Sequence, residues 1–187
     1  MSVFFWADTH FNHEGIIALC ARPFSTVNQM NNELVLRWND AVKPTDTIYF
    51  AGDFGFARKA GESLGDIFAA LNGHKHLVAG NHDEQQKAVM RLPWESISKL
   101  VTVKDQGMRA EVCHYALESW KRAQHGALMV HGHSHGTMKR VLARRFDVGV
   151  DVATRPVALR ELADVAADEP FVQTDYHHEP PSVVASS

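Results

Sequence analysis

The chain has 187 residues, a length that suits one domain with a sizeable hydrophobic core. Its 45% hydrophobic and 22% charged residues are typical of a globular protein, and its formal net charge of −3 argues against a surface that binds nucleic acid over its whole extent. No apolar stretch reaches the ~20 residues that a membrane helix needs. The start of the chain does not resemble a signal peptide and its two cysteines offer no disulfide framework, so we expect a cytoplasmic protein.

The first half of the sequence predicts strands that alternate with helices. Three short apolar runs have the length of buried strands: 3–7, 47–51 and 76–79. Four segments around them have helical patterning: 13–21, 27–42, 62–71 and 84–91. The order is therefore β-α-β-α-β, which is typical of an α/β protein.

The second half is richer in strands. Residues 100–103 and 108–114 flank a glycine-containing turn and predict a hairpin, and 127–130 and 146–150 predict two further strands. A last helix is predicted at 159–167. We therefore expect one domain over residues 1–167, followed by an irregular C-terminal tail at 168–187.

Five short motifs rich in histidine and aspartate follow one another along the chain. They are Asp8-Thr9-His10, Gly52-Asp53, Gly80-Asn81-His82-Asp83, His114 and Gly132-His133-Ser134-His135. Each alone has a structural explanation, as a cap, a turn or a core histidine. Several follow a predicted strand, however, and about seven metal ligands are too many for one ion. They suit two ions ~3.5–4 Å apart, an arrangement used for displacement at phosphorus.

The spacing of these residues supports a shared site. Asp8 and His10 are two residues apart at a strand end, so in an extended chain their side chains point to the same side, and His133 and His135 repeat this spacing. The carboxyl ends of strands in an α/β sheet form the crevice where ligands bind. Mixed carboxylate, imidazole and amide ligands favour Mn, Fe or Zn over Ca or Mg alone.

With these motifs the sequence closely resembles the calcineurin-like metallophosphoesterase superfamily, whose signature reads D-x-H, G-D, G-N-H-D/E, H and G-H-x-H. The resemblance spans residues 3–151 and fills every signature position, and segment 11–24 is similar to that of small bacterial and phage phosphoesterases. It implies a four-layer α/β sandwich, in which two facing mixed β-sheets are flanked by helices and the metals lie at one sheet edge.

The resemblance also implies a role for each motif residue. One divalent ion would be bound by Asp8, His10 and His135, the second by Asn81, His114 and His133, with Asp53 as the bridge. Mn²⁺ is favoured for both ions, with Fe, Zn, Ni and Mg as alternatives. A hydroxide between the ions would attack phosphorus in line, and His82, oriented by Asp83, would protonate the leaving oxygen.

Several functions remain open at this stage. Family members with histidine at the position of His82 also cleave diesters, so we expect a phosphodiesterase that acts on a small nucleotide-like substrate. A phosphomonoesterase with the same metals is the alternative, and an interaction module that has no catalytic activity is a third hypothesis. Nucleic acid is a less favoured partner, and a dimer in which a partner completes the pocket is compatible with so compact a chain.

Two residues are candidates for substrate contacts. His13 lies three residues after His10, near a predicted helix start, and could bind a phosphate; a surface histidine is the alternative. Arg22 could bind an anionic substrate or simply be a solvated arginine. The basic residues of segment 139–145 would steer nucleotides if they were functional, and would otherwise form a solvated face. The role of Asp147, where the family often has asparagine, stays open.

Overall fold

The structure, a computed structural model, describes residues 1–57 and 63–168. The predicted tail lies outside the described residues apart from Asp168. The first residue of the predicted helix 62–71 also lies outside them.

The described residues form helices and strands close to the predicted ones. The strands are β1 (Val3–Trp6), β2 (Thr47–Phe50), β3 (His74–Val78), β4 (Ser96–Ser98), β5 (Leu100–Asp105), β6 (Met108–Cys113), β7 (Leu128–His131), β8 (Arg145–Asp147) and β9 (Val157–Ala158). The α-helices are α1 (Glu14–Leu19), α2 (Val27–Ala41), α3 (Leu64–Ala70), α4 (Asn81–Gln85), α5 (Lys87–Met90) and α6 (Leu159–Ala167).

The strands form two mixed sheets. The first has the order β4-β3-β2-β1-β9, in which β1 to β4 are parallel and β9 is antiparallel to β1. The second has the order β5-β6-β7-β8, with an antiparallel β5–β6 hairpin and parallel pairing from β6 to β8. The predicted architecture of two mixed sheets flanked by helices is therefore confirmed.

Three details differ from the prediction. Strands β4 and β9 are short, with only three and two residues, and so give too little alternation to be recognised in the sequence. The predicted helix at 84–91 is two helices, α4 and α5, which meet at Gln86. Helix α4 begins at Asn81, so the third motif continues directly into a helix.

The core lies on both faces of the first sheet. Neighbouring side chains of β1 alternate between two clusters: Trp6 packs with α2, while Phe5 packs toward the second sheet. Helix α2 presents Met30, Leu34 and Trp38 to this core at helical spacing. These layers fix the two sheets face to face, so that their strand ends share one edge.

No helix within residues 1–57 and 63–168 has both the length and the apolar character needed to cross a membrane.

Candidate metal centre

The five motifs meet at one edge of the molecule. The loops after β1, β2 and β3 belong to the first sheet, and those after β6 and β7 belong to the second. The β1 and β2 loops are bonded to each other, since the backbone N–H of Asp8 donates to Gly52 O at 2.9 Å and that of His10 donates to Asp53 O at 3.0 Å. Parallel pairing thus continues past the strands and places their polar side chains together.

The first cluster contains Asp8, His10 and His135, whose potential ligand atoms all lie within 4.8 Å of one another. His10 is only 2% exposed, and neither of its ring nitrogens has a hydrogen-bond partner. A buried polar group without a partner typically costs ~1–3 kcal/mol. A divalent cation would satisfy this ring, so the residues present fit a metal.

The second cluster contains Asp53, His114 and His133, again with potential ligand atoms within 4.8 Å of one another. Asn81 joins it, because its Oδ1 lies 3.1 Å from His114 Nε2. The Nδ1 of His114 lies 2.8 Å from the carbonyl oxygen of Ala51, to which it can donate. That bond fixes the ring and leaves Nε2 directed at the cluster, the usual arrangement of a histidine that binds a metal.

Asp53 lies between the two clusters. Its Oδ2 is 3.7 Å from His10 Nε2 and 3.4 Å from His114 Nε2, one histidine from each cluster. Its Oδ1 accepts a hydrogen bond from the backbone N–H of His82 at 3.0 Å. A carboxylate in this position is suited to bind an ion on each side.

The pKa shifts in the site reflect a buried group of charges. Burial raises the pKa of Asp8 from 3.8 to about 7, against the opposing effect of His114 and His135. Burial also lowers the pKa of His10 to about 3, which keeps the imidazole in the neutral form that binds metals. For Asp53, burial acts to raise the pKa, but His114 and His10 outweigh it and the pKa is lowered. A bound cation would favour the ionised form of both carboxylates.

Five of these candidate ligands have left-handed backbone conformations. The φ angles are 59° for Asp8, 47° for His10, 59° for Asp53, 67° for His133 and 46° for His135. The prediction that an extended chain aligns Asp8 with His10 is therefore wrong, since β1 ends at Trp6 and the loop turns sharply. Such conformations cost ~1–3 kcal/mol each and are concentrated at functional sites.

Asp83 is fully buried and supports the loops of the site. Its carboxylate accepts hydrogen bonds from the backbone N–H groups of Asp53 at 2.7 Å, Phe54 at 2.8 Å and Gly80 at 2.9 Å. Both oxygens are thus engaged by backbone. The predicted contact in which Asp83 orients the His82 ring is absent among the described residues, and the side chain instead ties the β2 loop to the β3 loop.

Arg22 is also a structural residue. It is buried, and it forms a two-bond pair with Asp151, with Nε–Oδ1 and Nη2–Oδ2 distances of 2.8 Å each. Its remaining donors bond the carbonyl oxygens of Asp8 at 2.7 Å and Thr9 at 2.9 Å. Both expectations for Arg22 are therefore wrong: it is buried and not solvated, and the site's own backbone and Asp151 occupy the guanidinium that would bind a substrate.

Asp151 is a residue of the site that the sequence analysis missed. Its Oδ2 lies 2.6 Å from His135 Nδ1, and this hydrogen bond raises the pKa of His135. The contact fixes the ring of a candidate ligand as Ala51 O fixes that of His114. A signal was present, since Asp151 directly follows the predicted strand 146–150, and Asp53 follows the strand 47–51 after a single glycine.

Asp147 has a similar supporting role. It accepts hydrogen bonds from Ser134 Oγ at 2.9 Å and from the backbone N–H groups of Gly136 and Gly149 at 3.0 and 2.9 Å. It thus braces the loop that carries His133 and His135.

His82 and His13 lie beside the clusters. The ring centroids of His82 and His10 are 5.4 Å apart, and neither ring nitrogen of His82 forms a hydrogen bond with another described residue. The ring of His13 stacks on that of Phe56, with 4.6 Å between the ring centroids, and its Nδ1 is buried without a partner.

Tyr115 lies on the other side of the centre. Its ring centroid is 4.7 Å from that of His133, and the residue is 47% exposed. The opening is therefore lined by aromatic rings on two sides.

The basic segment 139–145 does not act as one group. Arg145 is buried and donates to the carbonyl oxygens of Leu117 and Arg140, while Arg140 pairs with Glu118. Arg144 lies at the opposite edge of the second sheet, where it lines a separate cavity.

The fold and the site define a class of protein: an α/β protein of two facing sheets with paired clusters of candidate metal ligands at one edge. Residues 1–147 match the calcineurin-like phosphoesterase superfamily domain. The chain therefore belongs to that superfamily of phosphoesterases, whose members use divalent metals.

Individual relatives are less informative about function. An uncharacterized protein of Methanocaldococcus jannaschii is 39% identical over 82 residues, which is 44% of this chain and 47% of that protein. The match thus spans about half of the curated relative. A protein of unknown function from Aquifex aeolicus has a similar structure, with a TM-score of 0.69, 25% identity, and coverage of 88% of this chain and 98% of that one. A novel archaeal phosphodiesterase matches with a TM-score of 0.42 and 15% identity over 80% of this chain and 82% of its own.

Proposed function

We propose that this protein is a phosphodiesterase that depends on two divalent metal ions and acts on a small nucleotide-like diester. The observation that carries the proposal is the position of Asp53 between two ligand clusters, each with a histidine within 4 Å of its Oδ2. One cluster holds Asp8, His10 and His135; the other holds His114, His133 and Asn81. Mn²⁺ suits this mixed set of donors.

When bound, the ions would lower the pKa of a water molecule and neutralise the charge of the phosphate. The chain's own residues have three tasks. His114 and His135 are held by Ala51 O and Asp151, so their free ring nitrogens are oriented before an ion binds. Asp83 fixes the loops of Asp53 and Asn81 relative to each other.

His82 is the proposed general acid. It lies next to His10, its ring is partly exposed, and no described side chain occupies its nitrogens. In the protonated form it would give its proton to the leaving oxygen of the ester. Replacement by alanine is expected to lower kcat by ~10²–10⁴-fold, most strongly for poor leaving groups, while metal content stays unchanged.

The aromatic rings around the opening support a nucleotide-like substrate. Phe56 and His13 stack with each other on one side, and Tyr115 is exposed on the other. A planar base could stack on either surface, at ~1–3 kcal/mol per base. The proposed role of His13 is therefore to line the substrate pocket with its ring, which stacks on Phe56.

The experiment that tests the proposal is hydrolysis of a generic diester and the matching monoester by metal-stripped protein, with and without Mn²⁺. We expect Mn²⁺-dependent cleavage of the diester that is lost in Asp53→Asn and kept in Asp40→Asn, a control at an exposed aspartate of α2. Faster cleavage of the monoester would make the protein a phosphomonoesterase. Metal binding without cleavage of either ester would favour an interaction module.

A further inference from the structure

A second cavity lies at the edge opposite the metal centre. It has a volume of about 580 Å³ and is formed by the β5–β6 turn, the segments just before β7 and β8, and the end of α6. Strands β6, β7 and β8 are parallel, so this edge carries their amino ends while the metal centre follows their carboxyl ends. Strand β6 has six residues, so the two edges are separated by roughly 17 Å.

The cavity is basic although the chain is acidic overall. Its basic residues are Lys104, Arg109, Arg122, His125 and Arg144, and the only carboxylate among the described lining residues is Asp105. The whole chain has a formal net charge of −3. Positive charge is therefore concentrated here against the average of the molecule, which attracts anions to this cavity.

Most of this charge is available to a ligand. Lys104, Arg122 and His125 are exposed, and none of them forms an ion pair with another residue of the described chain. Arg109 has one distant carboxylate neighbour, with 3.8 Å between its Nη1 and Glu111 Oε1. The carbonyl end of α6 contributes some opposing negative potential, but it carries less charge than the cations around it.

The floor of the cavity is apolar. Met108, Leu128, Ala163 and Ala166 line it beneath the cations. Small-molecule sites typically have 300–1,000 Å³ and combine an apolar lining with a few polar groups, and arginine binds phosphate through paired hydrogen bonds. A ligand that has both a flat apolar part and several negative charges fits this combination.

We propose that the cavity binds a nucleoside polyphosphate, with the base on the apolar floor and the phosphates at Lys104, Arg122 and Arg109. The site is separate from the metal centre and does not depend on the proposed phosphodiesterase activity.

The test uses the metal-loaded full chain and the β,γ-imido analogue of ATP, which resists hydrolysis, with binding measured by calorimetry. The cavity variant carries Lys104→Gln and Arg122→Gln, in which glutamine adds no new backbone strain at the left-handed Arg122. The control variant carries Lys43→Gln and Arg91→Gln, two exposed cations outside the cavity. A third variant, Asp53→Asn, impairs the metal centre alone.

We expect the cavity variant to bind the analogue with an affinity lower by roughly tenfold or more, because two charge-assisted phosphate contacts are lost. The control and Asp53→Asn should keep the cavity's affinity, and diester hydrolysis should be unchanged in the cavity variant. The proposal would be overturned if the control variant lost as much affinity for the analogue as the cavity variant, or if only Asp53→Asn lost binding. Tripolyphosphate binding as tightly as the analogue would overturn the assignment of a nucleoside.

A further substitution, Ala167→Glu, tests the cavity without removing any cation. Ala167 is exposed at the end of α6 and lines the cavity, so Ala167→Glu adds a negative charge beside the proposed phosphates. It should weaken analogue binding severalfold and leave thermal unfolding nearly unchanged. Unchanged binding of the analogue in both Ala167→Glu and the cavity variant would show that the cavity does not bind the nucleoside polyphosphate.

Discussion

Asp83 supports the loops of the candidate metal centre through three backbone hydrogen bonds and is expected to matter for stability as well as activity. In Asp83→Asn one acceptor oxygen becomes an NH₂ group that faces a backbone donor. Leaving a buried donor unsatisfied costs ~1–3 kcal/mol, so the free energy of unfolding of the metal-free protein should fall by about that amount. Glu84→Gln, at the neighbouring position, is the control; it removes only an exposed ion pair with Lys99 and should unfold nearly like the parent.

The alternative for Asp83 is the role implied by the family resemblance, in which it orients His82. A residue that only orients His82 would lower kcat and leave the unfolding of the metal-free protein unchanged. Chemical denaturation together with steady-state kinetics separates the two roles.

Arg22 makes a similarly clear prediction, because its guanidinium and the Asp151 carboxylate are almost completely buried together. Arg22→Met leaves Asp151 without its cation, and breaking such a buried pair costs ~3–5 kcal/mol. Arg37→Met, which removes a partly exposed pair with Glu33 on α2, should cost less than ~1 kcal/mol. Were Arg22 a substrate ligand, its replacement would instead raise KM with little change in the midpoint of urea unfolding.

At the scale of elements, the loop between β3 and α4 is shaped by the close approach of Gly80 to the β2 loop. A Cβ at position 80 would lie 2.3 Å from Asp53 Oδ1 and 2.8 Å from His114 Cε1. Gly80→Ala should therefore push α4 away from the proposed bridging carboxylate and lower Mn²⁺ affinity by tenfold or more, as judged by metal titration. The loss would come from the steric contact, because the entropy of the unfolded backbone by itself slightly favours alanine over glycine.

Gly65 provides the matched control for this substitution. It lies within α3, and the nearest atom to an added Cβ is Ser63 Oγ at 3.5 Å. Gly65→Ala should stabilise the protein by ~0.5–1 kcal/mol through helix propensity and leave Mn²⁺ affinity unchanged. Equal Mn²⁺ affinity in both variants would show that the β3–α4 loop can move without affecting the centre.

The same elements show what could be predicted from the sequence. Strands β1, β2, β3, β6 and β7 are apolar runs that end at polar motifs, so the edge they share and the residues they carry followed from local pattern. Short strands such as β9 and the left-handed turns at Asp8 and His10 did not, because they depend on pairing with distant segments. The Arg22–Asp151 pair joins residues 129 positions apart, and only the folded chain shows that this arginine is occupied.

At the scale of the whole molecule, the proposed ligands connect the two sheets. Asp8, Asp53 and Asn81 follow strands of the first sheet, whereas His114 and His133 follow strands of the second. Bound ions would therefore hold the sheets together at this edge, since the ligand set forms only when both are in place. Metal binding is thus expected to stabilise the whole fold.

Binding to the folded state alone contributes RT ln(1 + [L]/Kd), or ~2.7 kcal/mol when free Mn²⁺ is 100 times its Kd. The thermal midpoint should therefore rise with Mn²⁺ by several degrees and fall again with excess EDTA, and Asp53→Asn should lose most of the rise. His82→Ala should keep it, because His82 is a proposed proton donor and not a ligand. A midpoint that does not respond to Mn²⁺ in the parent protein, with uptake confirmed by metal analysis, would mean that the unfolded chain binds the ions as tightly as the folded one, so that binding does not require both sheets to be in place.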